Sequence, residues 1–302
     1  MAELKFLDNT YTVNDFGTVL NTLLKHGHAV PNSCRGGHCH SCLMRSLKGA
    51  PVAFSQMGLK KELVDEKYFL ACQCMVYYDM TVAMPAKDKR TRFPAMVEKI
   101  TPLSEEVVRV LLRPVRDFAY KSGQYITLRD VNAVEDDYPV ASVQDGSGLM
   151  EFHIQRGGKQ ALDRYITEEL GDNDALEVQT SFTDSHYNEK NTTQTLVLIA
   201  VDAHIAGAIG LAREALHKNH TGNIHILHLR KTMASSYAAA VVGEMQQKQG
   251  NLFFHDITDA AGGIAAIEGI NDAALFLWGF SSEECGELAT LGAAAVAMVP
   301  YE

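Results

Sequence analysis

Five of the six cysteines in this 302-residue chain fall between positions 34 and 74, and the spacing of four of them restricts the fold more than any other feature. Cys34, Cys39 and Cys42 stand as C-x4-C-x2-C, and Cys72 follows after 29 intervening residues. Four thiolates converging on two irons need such a set: three ligands from one tight loop and a fourth from a separate segment. Gly36 and Gly37 supply the dihedral freedom and close backbone approach that the wrapping demands. A strand-like Phe69-Leu70-Ala71 then brings Cys72 in from the far side. A four-cysteine zinc site prefers two separated C-x2-C knuckles, and only Cys39 and Cys42 form one. The pattern predicts a [2Fe–2S] cluster on Cys34, Cys39, Cys42 and Cys72, with single-electron transfer as its chemistry. Cys74 competes for the fourth position, two residues along an expected strand. Arg35, His38 and His40 flank the loop, either as groups that tune the cluster or as exposed loop residues.

The bulk properties narrow the partners. A formal net charge of −10 argues against nucleic acid and anionic membrane surfaces, and suits docking on a basic protein surface. No apolar run reaches the length of a membrane span, and Met-Ala-Glu-Leu-Lys-Phe lacks the pattern of a signal peptide, so a cytoplasmic protein is expected. Cysteines in that compartment are ligands or thiols rather than disulfides.

The chain divides by pattern into three parts, 1–88, 92–188 and 192–302, with a polar linker from Pro85 to Pro94. In the first, Leu4–Phe6 and Tyr11–Val13 form a hairpin. A helix capped by Asn14 or Asp15 runs through Leu23-Leu24, and strands follow at Cys42–Leu47 and Met80–Met84. The second reads as a barrel: strands at Val107–Leu112, Gln124–Leu128, Val140–Val143, Met150–Gln155 and Ala175–Thr180, interrupted by a helix at Asp163–Leu170. The third alternates, with strands at Leu196–Ala200, Ile224–Leu229, Leu252–His255 and Ala274–Trp278 and helices at Ala206–His217, Ala238–Gln247 and Glu283–Leu291. That is the signature of a doubly wound parallel sheet. His204, His225, His228 and His255 show no ligand spacing and read as structural; Cys285 opens a helix whose dipole could activate it, but no base is visible.

Further motifs carry a resemblance along nearly the whole chain. Leu70-Ala71-Cys72-Gln73 resembles the fourth-ligand motif of plant-type ferredoxins. Gly123-Gln124-Tyr125-Ile126 and Tyr138-Pro139-Val140-Ala141-Ser142 resemble flavin-binding strands. Gly157-Gly158 with Arg164-Tyr165-Ile166 resembles the glycine pair and helix near a flavin diphosphate, and His220 to His225 the entry to a second nucleotide-fold strand. Together they resemble bacterial fusions of a plant-type [2Fe–2S] ferredoxin with a ferredoxin–NADP reductase-like module, the electron-supplying components of oxygenases. The resemblance implies a β-grasp ferredoxin domain, an antiparallel flavin-binding barrel and an NAD(P)-binding-like α/β domain. It implies FAD contacts at Tyr138, Pro139 and Ser142, and an oxygenase or other protein as redox partner.

The departures fall at phosphate and nicotinamide contacts. The family's diphosphate-pairing Arg is Asp136, beside Glu135 and Asp137, and the hydroxyl that meets the flavin is Pro139. The helix-start Ser gives way to Ala161 or Asp163. The glycine-rich nucleotide turn reads Val201-Asp202-Ala203-His204-Ile205-Ala206-Gly207, the late C-G-P turn Trp278-Gly279-Phe280, and the barrel-closing turn Thr180 to Thr183. These losses argue against NAD(P)H. Three functions stay open: an electron carrier whose reductase-like body is a scaffold, a working NAD(P)H-dependent FAD/[2Fe–2S] reductase, and a redox-sensing or assembly subunit.

Overall fold

The computed structural model describes residues 2–13, 17–28, 30–32, 34–86, 89–116, 120–180, 187, 189, 191–234, 236–291 and 295–299. Its contacts divide the chain into two units: residues 1–93 with 116–120 and 179–184, and the remainder. Among the described residues no helix is long and apolar enough to cross a membrane.

In the first unit, β1 (Ala2–Phe6) and β2 (Asn9–Val13) form the expected antiparallel hairpin. Leu7 turns it with φ 51°. Asn14 and Asp15 lie outside the described residues; α1 (Val19–Lys25) is capped instead by Thr18, whose hydroxyl accepts from Asn21 N–H. Val19, Leu20 and Leu23 bury the helix against the sheet. β3 (Leu43–Lys48), a short α2 (Lys61–Asp65), β4 (Tyr68–Leu70) and β5 (Met80–Ala83) complete a five-stranded sheet of order β2-β1-β5-β3-β4. β1 and β5 run parallel, the crossed connection of a β-grasp sheet. Residues 71–73 are a turn and Cys74 lies past it outside any strand, so Cys72 and Cys74 do not share a strand.

The second unit holds most of β6 (Phe93–Pro102), a strand that sequence patterning did not pick out, since prolines near its two ends and a register shift at Val97/Lys99 break its alternation. β7 (Val107–Pro114), β8 (Tyr125–Arg129), β9 (Glu135–Pro139), β10 (Met150–Gln155) and β11 (Ala175–Thr180) join it in the order β10-β7-β6-β11-β8-β9. The strand expected at Val140–Val143 lies instead at Glu135–Pro139, paired residue by residue with β8. Ala141 N–H then donates to Glu151 O at 2.8 Å, tying the end of β9 to β10 so that the sheet curls into a barrel. The helix expected at Asp163–Leu170 is α3 (Ala161–Arg164) followed by one wide turn at Tyr165–Glu169.

β12 (Leu196–Val201), α4 (Ile205–His217), β13 (Ile224–Leu229), α5 (Ala238–Gln246), β14 (Leu252–Ile257), α6 (Ala260–Ala265), β15 (Ala274–Trp278), α7 (Ser282–Ala289) and β16 (Ala295–Val299) form the doubly wound layer. Its sheet order is β14-β13-β12-β15-β16, all parallel. β12 is buried along its length, as a central strand covered on both faces must be. α4 lies close on the barrel because Gly207 and Gly210 carry no side chain: a Cβ at Gly207 would meet Trp278 Nε1 at 2.4 Å, and one at Gly210 the Val140 carbonyl at 2.4 Å.

Candidate functional site

The cysteine loop is wound by left-handed residues, Arg35 (φ 49°), Gly37 (φ 80°) and His40 (φ 58°). That winding turns amides inward: Gly36, His38 and Cys39 N–H approach Cys34 Sγ at 3.3, 3.3 and 3.4 Å. Ser41 Oγ lies 3.2 Å from Cys39 Sγ, and Cys72 N–H 3.5 Å from Cys42 Sγ. Gln73 Nε2 reaches Cys72 Sγ at 3.5 Å and the Arg35 carbonyl at 3.0 Å, binding the fourth-ligand turn to the loop. Neither Gln73 nor Ser41 announced this role, since only the folded loop brings them to sulfur.

The thiols stand in two hydrogen-bonded pairs, Cys34 with Cys39 and Cys42 with Cys72. Burial pushes the Cys34 thiol up, but the Gly36, Cys39 and His38 amides outweigh it and bring it down to about 6. The Cys72 thiol is drawn down to about 6, chiefly by its bond with Cys42, against burial. Cys42 is pushed up by that same bond and by burial. Two thiol pairs under amide donors suit a dinuclear cluster, each iron taking two sulfurs. Cys74 is fully buried and its thiol is pushed up by burial, as is that of Cys285. For Cys285 burial thus works against any activation by the helix dipole.

A second feature is a cavity of about 480 Å³ in the second unit, where Tyr138, Pro139, His153, Lys159, His204 and Thr232 meet. Tyr138 and Pro139 thus reach one space. Ser142 is turned away, its hydroxyl accepting from Glu151 N–H at 3.0 Å. The acids of β9 are engaged by the chain itself. Asp136 Oδ2 accepts from Leu162 N–H at 2.9 Å at the start of α3, and Thr127 Oγ1 donates to Asp137. Asp163 accepts from Tyr138 O–H at 2.8 Å and Gln160 N–H at 3.1 Å. Gly158 makes room for it, since a Cβ there would lie 1.9 Å from Asp163 Oδ2. Burial pushes the Asp163 carboxyl up to about 6, and the neighbouring Asp136 charge adds to the shift. The first turn of α3 and Gly158, which the resemblance assigns to a flavin diphosphate, lie against the Asp136 and Asp163 carboxylates.

The nucleotide turn is filled in the same way. Asp202, left-handed at φ 47°, sits beyond the carboxyl end of β12, at the switch point of the sheet. Its carboxylate accepts from Lys231 N–H (2.9 Å), Thr232 N–H (3.0 Å), Thr232 Oγ1 (2.8 Å) and Met233 N–H (3.3 Å). Burial opposes its ionisation, but these donors hold it below the usual carboxylate range. His204 bonds Tyr125 OH at 3.0 Å and packs on Gly279, where a Cβ would lie 2.8 Å from its ring. The turn that would meet a nicotinamide is thereby covered by an imidazole, which burial holds neutral, its pKa pushed down to about 4. Of the barrel-closing turn, Ser181 to Thr183 lie outside the described residues. The other histidines are structural: His228 bonds Ser236 Oγ and the Asp202 carbonyl, and His225 stacks on His255.

Comparison with known proteins places these features. Residues 6–77 match the family model of the 2Fe-2S iron-sulfur cluster binding domain. The chain is 23% identical over 244 residues to the ferredoxin–NAD(P)(+) reductase component of the naphthalene 1,2-dioxygenase system of Pseudomonas putida, spanning 79% of this chain and 74% of that one. It is 26% identical over 246 residues to the reductase subunit of an aromatic O-demethylase from Amycolatopsis, spanning 76% and 72%. Its fold matches the crystal structure of an Amycolatopsis cytochrome P450 reductase with a TM-score of 0.63 at 20% identity, covering 100% of this chain and 99% of that one.

Proposed function

We propose that this chain, which joins a 2Fe–2S domain to a ferredoxin-reductase-like module homologous to oxygenase reductase components, is an electron carrier between proteins rather than an oxidiser of NAD(P)H. Cys34, Cys39, Cys42 and Cys72 hold the cluster. A bound [2Fe–2S] group supplies one-electron chemistry, and the residues around it set its environment. The Gly36, His38 and Cys39 amides stabilise negative charge on sulfur, Gln73 fixes the fourth ligand, and the exposed edge at Cys34 keeps the transfer path to a partner short. The partner is an oxygenase or another protein acceptor, as the functions of the relatives suggest.

One observation supports the carrier reading: where the resemblance expects flavin and nucleotide turns, Asp136 and Asp163 hold the Leu162 and Gln160 amides, and Asp202 holds that of Thr232. A dinucleotide would have to displace bonded carboxylates and then bear their repulsion. A second reading, an NAD(P)H-dependent reductase working through FAD, is favoured by the cavity beside Tyr138, with Arg156 and Lys159 on its wall. The two separate in one experiment. The purified protein is denatured and its supernatant read for flavin, and a native anaerobic sample is mixed with NADH or NADPH while the cluster absorbance is followed. The carrier releases no flavin and keeps its oxidised spectrum; released flavin with rapid bleaching overturns it in favour of the reductase.

A further inference from the structure

On the reading that the four cysteines hold a cluster, we propose that the cluster unit docks its redox partner through a cationic rim with apolar anchors, and that the partner presents an acidic face. The whole-chain charge hides a division. Residues 1–93 hold 12 Lys and Arg against 8 Asp and Glu, a formal +4, whereas 94–302 hold 15 against 29, a formal −14. Between positions 16 and 61 there is no acid at all, only Lys25, Arg35, Arg45, Lys48, Lys60 and Lys61. At the chain-wide density of 37 acids in 302 residues, a 46-residue stretch would hold about six. The cluster loop lies inside this stretch.

The structure gathers part of it beside the sulfurs. Cys34, Arg35 and His38 are exposed. The segment 53–60 comes up against the loop, a Cβ at Gly58 lying 3.8 Å from His40 Nε2. On that segment Phe54 and Met57 are 61% and 64% exposed, followed by exposed Lys60 and Lys61. Acids return at Glu62 and Asp65 on α2 and at Glu66 after it, which pairs with Lys89 at 3.8 Å. Large apolar side chains left in water beside the cluster loop, followed by Lys60 and Lys61 and with Arg35 on the loop, make a contact patch, with charge selecting the partner and apolar area holding it. Burial of Phe54 and Met57 supplies the sign-independent part of the affinity.

Stopped-flow transfer from the dithionite-reduced protein to an acidic cytochrome b5 and to a basic cytochrome c tests this. The rate to the acidic acceptor should fall about tenfold from low to high salt. Charge reversal by Lys60→Glu with Lys61→Glu should lower it about tenfold at low salt only. Met57→Ser should lower it at every salt concentration. A rate to the acidic acceptor that rises with salt, or is untouched by the charge reversal, overturns the proposal. So does salt-sensitive self-association abolished by the same reversal, since the rim would then seat the acidic body of a second copy. Iron content and visible absorption of the parent and each variant are read first: an iron-free parent refutes the ligand assignment and not the docking face, and rates are compared between proteins of equal iron content.

Discussion

Replacing Asp163 by asparagine should make the protein less stable below about pH 4 and more stable near neutrality. Asp163 is 3% exposed and titrates at about 6, against 3.8 for an ordinary aspartate. Between those values the unfolded chain has lost the proton and the folded chain keeps it. Folded stability therefore falls as pH rises from about 4 to about 6, by about 3 kcal/mol for this one group. The amide of the Asp163→Asn variant cannot ionise, so the variant escapes that loss. The amide keeps one oxygen for Tyr138 O–H but offers no acceptor to Gln160 N–H, a defect of about 1 kcal/mol. The variant should thus be about 1 kcal/mol less stable than the parent at about pH 3, level with it near about pH 4.5, and about 2 kcal/mol more stable at about pH 7.5. Urea unfolding followed by fluorescence of Trp278 measures this, because the chain's single tryptophan is fully buried in the same unit. Subtracting the two proteins at each pH removes the titrations they share. A stability difference that stays flat across the range would refute the reasoning, since it would mean that Asp163 is ionised and compensated by a cation.

Three further outcomes are expected. Cys72→Ser should abolish the cluster's visible absorbance and lower bound iron, whereas Cys74→Ser, at a buried position outside the thiol pairs, should leave both intact; the reverse would transfer the fourth ligand to Cys74. Asp202→Ala should lower urea stability by about 3 kcal/mol, because the Lys231, Thr232 and Met233 donors lose a charged acceptor. As its pKa lies below the ordinary value, the stabilisation is present above that value and is lost as pH falls through the folded one; a change under about 1 kcal/mol would contradict the role. Asp136→Arg should leave electron transfer from an external donor intact, and a sharp loss in a donor–acceptor assay would show that Asp136 already works in a site.

The cluster loop was legible because its constraint is local. Cys34, Cys39 and Cys42 lie within nine residues, and ligand spacing over so short a stretch leaves the backbone few choices. The parallel layer was legible too, since buried strands such as Leu196–Val201 are continuously apolar and their helices periodic. The barrel was less so. Val140–Val143 has strand-like residues and Glu135–Asp137 does not, yet the acidic run is the strand, because Thr127 and the first turn of α3 satisfy its carboxylates. Strand propensity here yielded to partners supplied from elsewhere in the fold.

Sequence alone carried the cysteine spacing, the pattern of a small mixed sheet, a barrel and a parallel layer, and the acids that stand where the resemblance expects glycine and arginine. It read Asp136 and Asp202 only as charges of the wrong sign. Tertiary structure decided what those acids meet: Asp202 meets amides about 30 residues further along the chain, and Asp136 meets one 26 residues away. The physical reason is range. Metal-ligand spacing and apolar period are written in neighbouring residues, whereas which carboxylate satisfies which buried amide depends on segments that only folding brings together.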